Sequence, residues 1–190
     1  MKKLEERIKK DGVVLEGDVL KVGSFLNHQI DPMLLKEMAE EWHRLYADDK
    51  VDKILTIEAS GIAMASFVAY EFGVPLLFAK KGKTTNISDN VYNTPVKSFT
   101  HGVTYNVQVE KRFLNEGENV LIIDDFLANG EALKGLIDLC RQAGANVVGC
   151  GVSIEKAFQN GGAELRKNGY RVESLARIKS MNQQNGLEFV

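Results

Sequence analysis

The order of apolar segments in this chain predicts an α/β fold with a doubly wound, mainly parallel sheet and helices on both faces. Short runs rich in β-branched residues alternate with helical patterns, which is the sequence signature of βαβ units. Two of these runs end in acidic or small residues and pass directly into a helix, as strands do at the ligand-binding edge of an open parallel sheet. No boundary divides the 190 residues, so we predict a single domain over residues 1–190.

Two helices are predicted before the sheet begins. A short charged helix covers residues 4–10, and Asp31 caps a second helix with Pro32 in its first turn. A strand at residues 53–57, a helix ended by Gly73 and a strand at residues 74–79 then form a βαβ unit. Such a unit implies parallel pairing and a right-handed crossover. The remaining predicted strands cover residues 105–109, 120–123, 147–154 and 172–178.

A long segment rich in Lys, Thr, Asn and Ser separates the βαβ unit from the later strands. It covers residues 80–104 and begins with Lys80, Lys81 and Lys83. Connections of this length are uncommon unless they are functional, so we predict a flexible loop without regular structure. The pattern assigns no role to Ser98, His101 or Tyr105 in or beside this loop.

Composition indicates a globular protein of ordinary hydrophobic content, with 44% hydrophobic and 26% charged residues. The net charge of −2 gives no general attraction to nucleic acid or to an anionic membrane. No apolar run approaches the ~18 residues of a membrane span, and the charged N-terminus does not resemble a signal peptide. Cys140 and Cys150 have no metal-like or redox spacing, which favours buried free thiols and a cytoplasmic location.

The most informative segment runs from residue 120 to residue 132. Four apolar residues predict a buried strand, and Asp124 and Asp125 follow where that strand should end. Small and polar residues then lead into an amphipathic helix. A helix start offers unpaired amides and a positive dipole end to a phosphate, and carboxylates accept hydrogen bonds from sugar hydroxyls. The segment therefore predicts a site for a phosphorylated sugar.

Two other interpretations of the acidic pair stay open. The carboxylates could serve solubility alone, or they could be the metal-binding pair of a receiver domain, although such a pair follows the first strand of its fold. A second strand end, at Glu58, Ala59 and Ser60, should lie near the same edge of the sheet. Here the alternative is that Ser60 caps the helix without any ligand.

The strand, the two acids and the small-residue loop resemble the phosphoribosyl-pyrophosphate signature of the type I phosphoribosyltransferases. The resemblance implies that Asp124 and Asp125 hold the ribose hydroxyls and act in catalysis. It also implies phosphate and pyrophosphate contacts, with Mg²⁺ entering on the substrate's oxygens rather than in a protein metal site. The residues implied to bind phosphoribosyl pyrophosphate are Ala59, Ser60, Lys81, Ala128, Asn129, Gly130, Glu131 and Ala132. Asn129, Glu131 and Ala132 stand where the commoner loop has threonines and a glycine.

The N-terminal segment, residues 1–33, resembles the hood that covers the purine in adenine and xanthine members of this family. The implied base contacts are Leu20, Asn27, Lys156 and Phe158, with the aromatic ring stacking on the purine. Ala128 stands where hypoxanthine-guanine members carry an Asp that can act as a base. Xanthine loses a proton near neutral pH and has less need of a protein base, so we expect xanthine as the acceptor of the phosphoribosyl group.

The expected activity is transfer of a phosphoribosyl group to a purine in purine salvage, by a homodimer that binds neither nucleic acid nor membrane. Adenine or another purine is the alternative acceptor. A regulator that senses phosphoribosyl pyrophosphate on the same fold is a further alternative, although the chain has no long basic run for DNA. The last alternative is a nucleotide-binding module that has no catalytic activity.

Overall fold

A computed structural model describes residues 1–82, 90–97, 104–184 and 186–190. Within these ranges the helices are α1 (Lys2–Asp11), α2 (Pro32–Leu45), α3 (Ser60–Phe72), α4 (Glu131–Ala143) and α5 (Gly161–Lys167). The strands are β1 (Val13–Leu15), β2 (Val19–Lys21), β3 (Lys53–Ile57), β4 (Leu76–Gly82), β5 (Val91–Lys97), β6 (Thr104–Glu110), β7 (Asn119–Leu127), β8 (Asn146–Lys156), β9 (Val172–Asn182) and β10 (Gly186–Phe189).

The main sheet of the described chain has the order β10-β9-β8-β7-β3-β4-β6-β5. Strands β4, β3, β7, β8 and β9 pair in parallel, whereas β10, β6 and β5 are antiparallel additions at the two edges. The predicted α/β class with a mainly parallel sheet is confirmed. The strand order places β7 between β3 and β8, so the carboxyl ends of three parallel strands meet at one place.

Two hydrophobic clusters cover the two faces of the sheet. The first cluster packs α1, α2 and α3 against one face. Trp42 of α2 and Tyr46, which directly follows α2, are fully buried there. The second cluster packs α4 against the other face through Leu133, Leu136 and Cys140. Strand β7 lies between them with residues 120–123 wholly buried, as the continuous apolar run predicts.

The prediction that residues 80–104 form one irregular loop is wrong in its middle part. β4 continues to Gly82, and β5 adds a regular strand that pairs antiparallel with β6. β5 lies at the edge of the sheet, where Pro95 costs no ladder hydrogen bond on the open side. Residues 83–89 and 98–103, which include Lys83, Ser98 and His101, lie outside the described residues, so the predicted loop is not tested there.

The N-terminal segment forms a small layer beside the sheet. β1 and β2 make an antiparallel hairpin, and a short π-helical turn at Gly23–Asn27 leads towards α2, whose N-terminus Asp31 caps as predicted. The sequence pattern did not predict β1, β2, α5 or β10. No helix among the described residues is long and apolar enough to cross a membrane.

The contact between α4 and β5 gives the first test. A Cβ built on Gly135 would lie 2.4 Å from Cγ2 of Val96. Gly135→Ala is expected to lower the unfolding free energy by about 1–2 kcal/mol, since overpacking outweighs the helix-propensity gain. Val96→Ala removes the crowded methyl group, so the double variant should lose less stability than the two single losses together. Strictly additive losses in denaturant unfolding would contradict this packing.

Candidate active site

A cavity of about 600 Å³ opens where the parallel strands end. It contains residues from the turn after β3, the ends of β4, β7 and β8, and the hairpin β1–β2. Its lining is Val19, Leu20, Asn27, Ser60, Lys81, Val96, Lys97, Tyr105, Asp125, Phe126, Ala128, Asn129, Gly130, Glu131, Ala132, Leu133 and Lys156. The structure thus brings most of the sequence-predicted site residues into one space.

The acidic pair ends β7 with its two carboxylates in different environments. Asp125 lines the cavity, and its carboxylate accepts hydrogen bonds from the Phe126 amide and from the Asn27 side-chain amide, both at 3.0 Å. Asp124 is only 3% exposed and accepts the Asp125 amide at 3.0 Å. Burial, and then the neighbouring Asp125 charge, raise the pKa of Asp124 well above its ordinary value.

The loop between β7 and α4 presents backbone amides to the cavity. Gly130 has a φ of 80°, which favours glycine, and it is the residue that precedes the first helical turn. No side chain caps this helix, so its first amides are open to a ligand. A phosphate placed here would meet those amides and the positive end of the helix dipole.

The turn after β3 supplies a second set of polar groups. Ser60 is the first residue of α3 and lines the cavity, whereas Ala59 precedes the helix and is not among the lining residues. No side-chain hydrogen bond caps α3, so the alternative role of Ser60 as a cap is not observed. The peptide bond between Glu58 and Ala59 is cis.

Lys81 projects into the cavity from β4. Its backbone amide donates to the Glu58 carboxylate at 2.6 Å, and its ammonium lies 5.1 Å from the centre of the Tyr105 ring. Tyr105, which the sequence left without a role, also lines the cavity, and burial followed by the Asp124 charge raises its pKa. Lys80 points elsewhere, with its ammonium 6.0 Å from the Phe78 ring outside this cavity.

Another part of the cavity, next to the β1–β2 hairpin, combines apolar and donor groups. Leu20 contributes an apolar wall, and Lys156 donates to the Asp18 carbonyl oxygen at 2.7 Å. The Lys156 ammonium also lies 5.7 Å from the centre of the Phe126 ring, and burial lowers its pKa. The turn of the β1–β2 hairpin therefore contacts the end of β8.

The aromatic residue of this end differs from the predicted one. Phe158 is 39% exposed and does not line the cavity, so its predicted stacking role finds no support there. Phe126 lines the cavity instead. Sequence reasoning missed it because it follows the acidic pair directly, and an aromatic residue at a strand end can pack on either face of the sheet.

The sequence of this chain is similar to that of known proteins over nearly its whole length. Residues 21–188 match the family model described as a phosphoribosyl transferase domain. The chain belongs to the phosphoribosyltransferase family. It is 55% identical to a xanthine phosphoribosyltransferase of Finegoldia magna, with 94% of each chain covered, and 54% identical to one of Bifidobacterium adolescentis, with 100% and 99% covered.

Solved adenine phosphoribosyltransferases share the fold of this phosphoribosyltransferase. The Rhodothermus marinus structure has a TM-score of 0.73 at 19% identity and covers 93% of this chain and 99% of its own. The Giardia lamblia structure, a complex with 9-deazaadenine, has a TM-score of 0.69 at 26% identity, with 77% and 80% covered. The predicted membership of the type I phosphoribosyltransferases is confirmed.

The buried carboxylate of this site gives the second test. Because the pKa of Asp124 is raised on folding, the folded state binds more protons than the unfolded state between the two pKa values. Stability should therefore fall as pH rises through that window. Asp124→Asn removes this penalty, so we expect a higher Tm than the parent at pH 7, with the difference shrinking towards pH 4.

Glu155 is the matched control, because the pKa of this buried carboxyl is shifted in the opposite direction. Burial alone would raise its pKa, but hydrogen bonds from Arg166 and Ser174 hold the pKa below its ordinary value. The ionised Glu155 carboxylate therefore stabilises the fold at any pH above the pKa of this carboxyl in the unfolded chain. That stabilisation is lost as the pH falls through its lower pKa in the folded protein. Glu155→Gln should lower the Tm at pH 7. A lower Tm for Asp124→Asn at pH 7, measured by circular dichroism, would contradict the assigned burial penalty.

Proposed function

We propose that this phosphoribosyltransferase transfers the 5-phosphoribosyl group of phosphoribosyl pyrophosphate to xanthine, giving xanthosine 5′-monophosphate and pyrophosphate in purine salvage. The observation that carries the proposal is the shape of one cavity. It joins the uncapped start of α4 to Asp125 and continues to the hood, where Asn27 and Lys156 offer donors. The relatives of Finegoldia magna and Bifidobacterium adolescentis, which are 55% and 54% identical, are xanthine phosphoribosyltransferases, which supports the choice of base.

The substrate's phosphate and ribose would occupy the α4 end of the cavity. The loop 128–132 would bind the 5-phosphate mainly through backbone amides, since its side chains carry no hydroxyl group. Asp125 would accept hydrogen bonds from a ribose hydroxyl that replaces the Asn27 amide, with Asp124 behind it. Both carboxylates would then lie close to the positive charge that develops on the ribosyl ring.

The leaving pyrophosphate would lie between two strand ends. Ser60 at the start of α3 and Lys81 near the end of β4 line the cavity here, so the Ser60 amide and the Lys81 ammonium would hold the pyrophosphate, with Ala59 just outside the lining. Their positive potential stabilises negative charge as the bond to pyrophosphate breaks. Catalysis in this account comes from positioning and electrostatic stabilisation rather than from a covalent intermediate.

The base would bind at the hood end, with Leu20 and Phe126 against its ring. The Lys156 ammonium would donate to the 6-oxo group, and Asn27, once displaced from Asp125, would donate to the 2-oxo group. Ala128 offers no proton acceptor at the edge of the phosphate loop, which suits a base that ionises by itself. Adenine presents an amino donor instead of the 6-oxo acceptor and would leave the ammonium poorly paired.

Magnesium would enter on the oxygens of phosphoribosyl pyrophosphate. Among the residues that the structure describes, no group of three or more His, Cys, Asp or Glu side chains could hold a metal ion. Asp125 and Glu131 are the acidic residues of the cavity lining, which fits an ion that takes most of its ligands from phosphates and water. The ion would supply charge neutralisation for the pyrophosphate.

We further propose a cytoplasmic homodimer whose ligands are phosphoribosyl pyrophosphate and a purine, without nucleic acid or membrane. Both cysteines are buried and unpaired, and burial raises the pKa of each thiol to about 12, as expected of structural thiols in a reducing compartment. The mixed surface charge and net charge of −2 offer no general attraction to polyanions.

A panel of bases tests the proposed activity. Pyrophosphate release would be measured with phosphoribosyl pyrophosphate, Mg²⁺ and either xanthine, hypoxanthine, guanine or adenine. We expect kcat/KM for xanthine to exceed the others by about tenfold or more, since one unpaired buried donor costs roughly 1–3 kcal/mol. A preference for adenine would overturn the choice of base, and absence of turnover with every base would overturn the enzyme.

Lys156→Met tests the base end separately from the phosphate end. Methionine keeps much of the side-chain length but cannot donate, so kcat/KM for xanthine should fall about 10- to 100-fold. The KM for phosphoribosyl pyrophosphate should stay within about twofold, because the lysine lies at the hood end. Lys167→Met, at an exposed position of α5, is the control and should match the parent. An equal loss of phosphoribosyl pyrophosphate binding would contradict the assigned location.

A further inference from the structure

We propose that α5 positions the phosphate loop, residues 128–132, and that Gly161 is the positioning residue through which it acts. This inference rests on the proposed function, which assigns that loop to the 5-phosphate of phosphoribosyl pyrophosphate. Neither α5 nor Gly161 lines the cavity, so the role is one of support rather than of contact with substrate.

The first observation is a direct backbone contact between the helix and the loop. The Gly161 amide donates to the Ala128 carbonyl oxygen at 3.2 Å. A Cβ built on Gly161 would lie 2.3 Å from that oxygen and 2.6 Å from both the Asn129 carbonyl carbon and the Gly130 nitrogen. These are all backbone atoms, which cannot swing aside as a side chain can. The absence of a side chain at residue 161 is therefore what lets the helix touch the loop.

The second observation is a buried ion pair that anchors α5 to the sheet. Glu155, which is 2% exposed on β8, accepts two hydrogen bonds from the Arg166 guanidinium at 2.7 and 2.8 Å. Its carboxylate also accepts bonds from Ser174 at 2.6 Å and Arg177 at 3.2 Å. A buried carboxylate with this many donors is held in one orientation, and the two-point contact fixes the helix that carries Arg166.

The fit of α5 onto this carboxylate again depends on a glycine. A Cβ on Gly162 would lie 2.2 Å from Glu155 Oε1 and 2.8 Å from Arg166 Nη1. The two successive glycines that begin α5 therefore face two different partners, the phosphate loop and the buried ion pair. A more exposed pair between Lys134 of α4 and Glu164 of α5, at 2.9 Å, joins the two helices that flank the loop.

The consequence for binding follows from the composition of the loop. Because its side chains provide no hydroxyl groups, a bound phosphate depends on where the backbone amides point. Amides that are already in place bind an anion without a cost of reorganisation. The carbonyl oxygen of Ala128 lies on the side of the loop held by Gly161, so α5 sets the loop before substrate arrives.

Gly161→Ala is the direct test. The added methyl group must push the loop or the helix aside, so we expect the Kd and KM for phosphoribosyl pyrophosphate to rise about tenfold or more. At saturating phosphoribosyl pyrophosphate, kcat and the KM for xanthine should stay within about threefold, because the hood end is untouched. Binding would be measured by calorimetry without a base, and turnover by pyrophosphate release.

Gly169→Ala is the matched control. It makes the same change just after α5, at a residue whose φ of 88° makes alanine strained but whose surroundings within 4 Å are empty. It should lower the Tm without changing the KM for phosphoribosyl pyrophosphate. An equal KM increase in this variant, or an unchanged KM in Gly161→Ala, would overturn the proposal.

Arg166→Lys provides a second route if Gly161→Ala does not fold. Lysine keeps the positive charge beside Glu155 but cannot make the two-point contact, so α5 should loosen while the buried carboxylate stays paired. The KM for phosphoribosyl pyrophosphate should rise and that for xanthine should not; equal values for parent and variant would overturn the proposal.

The proposed function and this inference fail in different ways. A parent protein that binds phosphoribosyl pyrophosphate but transfers it to no base would overturn the function, while Gly161→Ala could still be compared with it by calorimetry. A parent that turns over xanthine, with Gly161→Ala binding phosphoribosyl pyrophosphate equally well, would overturn the inference alone.

Discussion

The parallel pairing of β7 with β3 on one side and β8 on the other is the constraint on which the site depends. It brings three strand ends to one edge of the sheet, where Ser60, Asp125 and Lys156 line one cavity and Asp124 is buried behind Asp125. Residues far apart in sequence are brought near one another by this strand pairing. The loops then depend on local features, such as the left-handed Gly130, and on packing against neighbouring elements, such as the Gly161 contact with the Ala128 carbonyl oxygen.

Burial opposes the charged forms of two side chains at this site. Burial raises the pKa of Asp124 and lowers that of Lys156, so each side chain resists the charge that binding would use. The Asn27–Asp125 and Lys156–Asp18 hydrogen bonds join the N-terminal segment to the ends of β7 and β8. Under the proposed function, a sugar hydroxyl and an oxopurine would take over these same donors and acceptors, and the binding of both substrates would be coupled to the position of the N-terminal segment.

The predictable part of the fold is the part whose pattern is contiguous. Residues 120–132 combine a buried apolar run, two acids and a helix start, so the strand, the loop after it and the start of the next helix could all be predicted from one segment. β5 could not, because its pattern includes Pro95 and polar residues and depends on pairing with β6 and packing on Gly135. α5 is short and begins with two glycines, which reduce helix propensity; only its contacts with Glu155 and the loop explain it.

The site shows the same division. The acidic pair, the loop 128–132 and the donors Asn27 and Lys156 were proposed from residue types whose chemistry is visible in the sequence; all of them except Asp124 line the cavity, and their roles stay predictions. Phe126 was missed, and Phe158 was preferred, because the local twist at a strand end decides which aromatic ring faces the cavity. Tyr105 was left without a role for a similar reason, since its position depends on how β6 pairs with β4.

A crystal structure with xanthosine 5′-monophosphate tests the central claim most directly, because the product spans the whole cavity. The account predicts the phosphate on the amides that begin α4, the ribose hydroxyls on Asp125, and the base between Leu20 and Phe126 with an oxygen near the Lys156 ammonium. Density for the nucleotide at another surface, or in this cavity with its base at α4 and its phosphate under the hood, would contradict it.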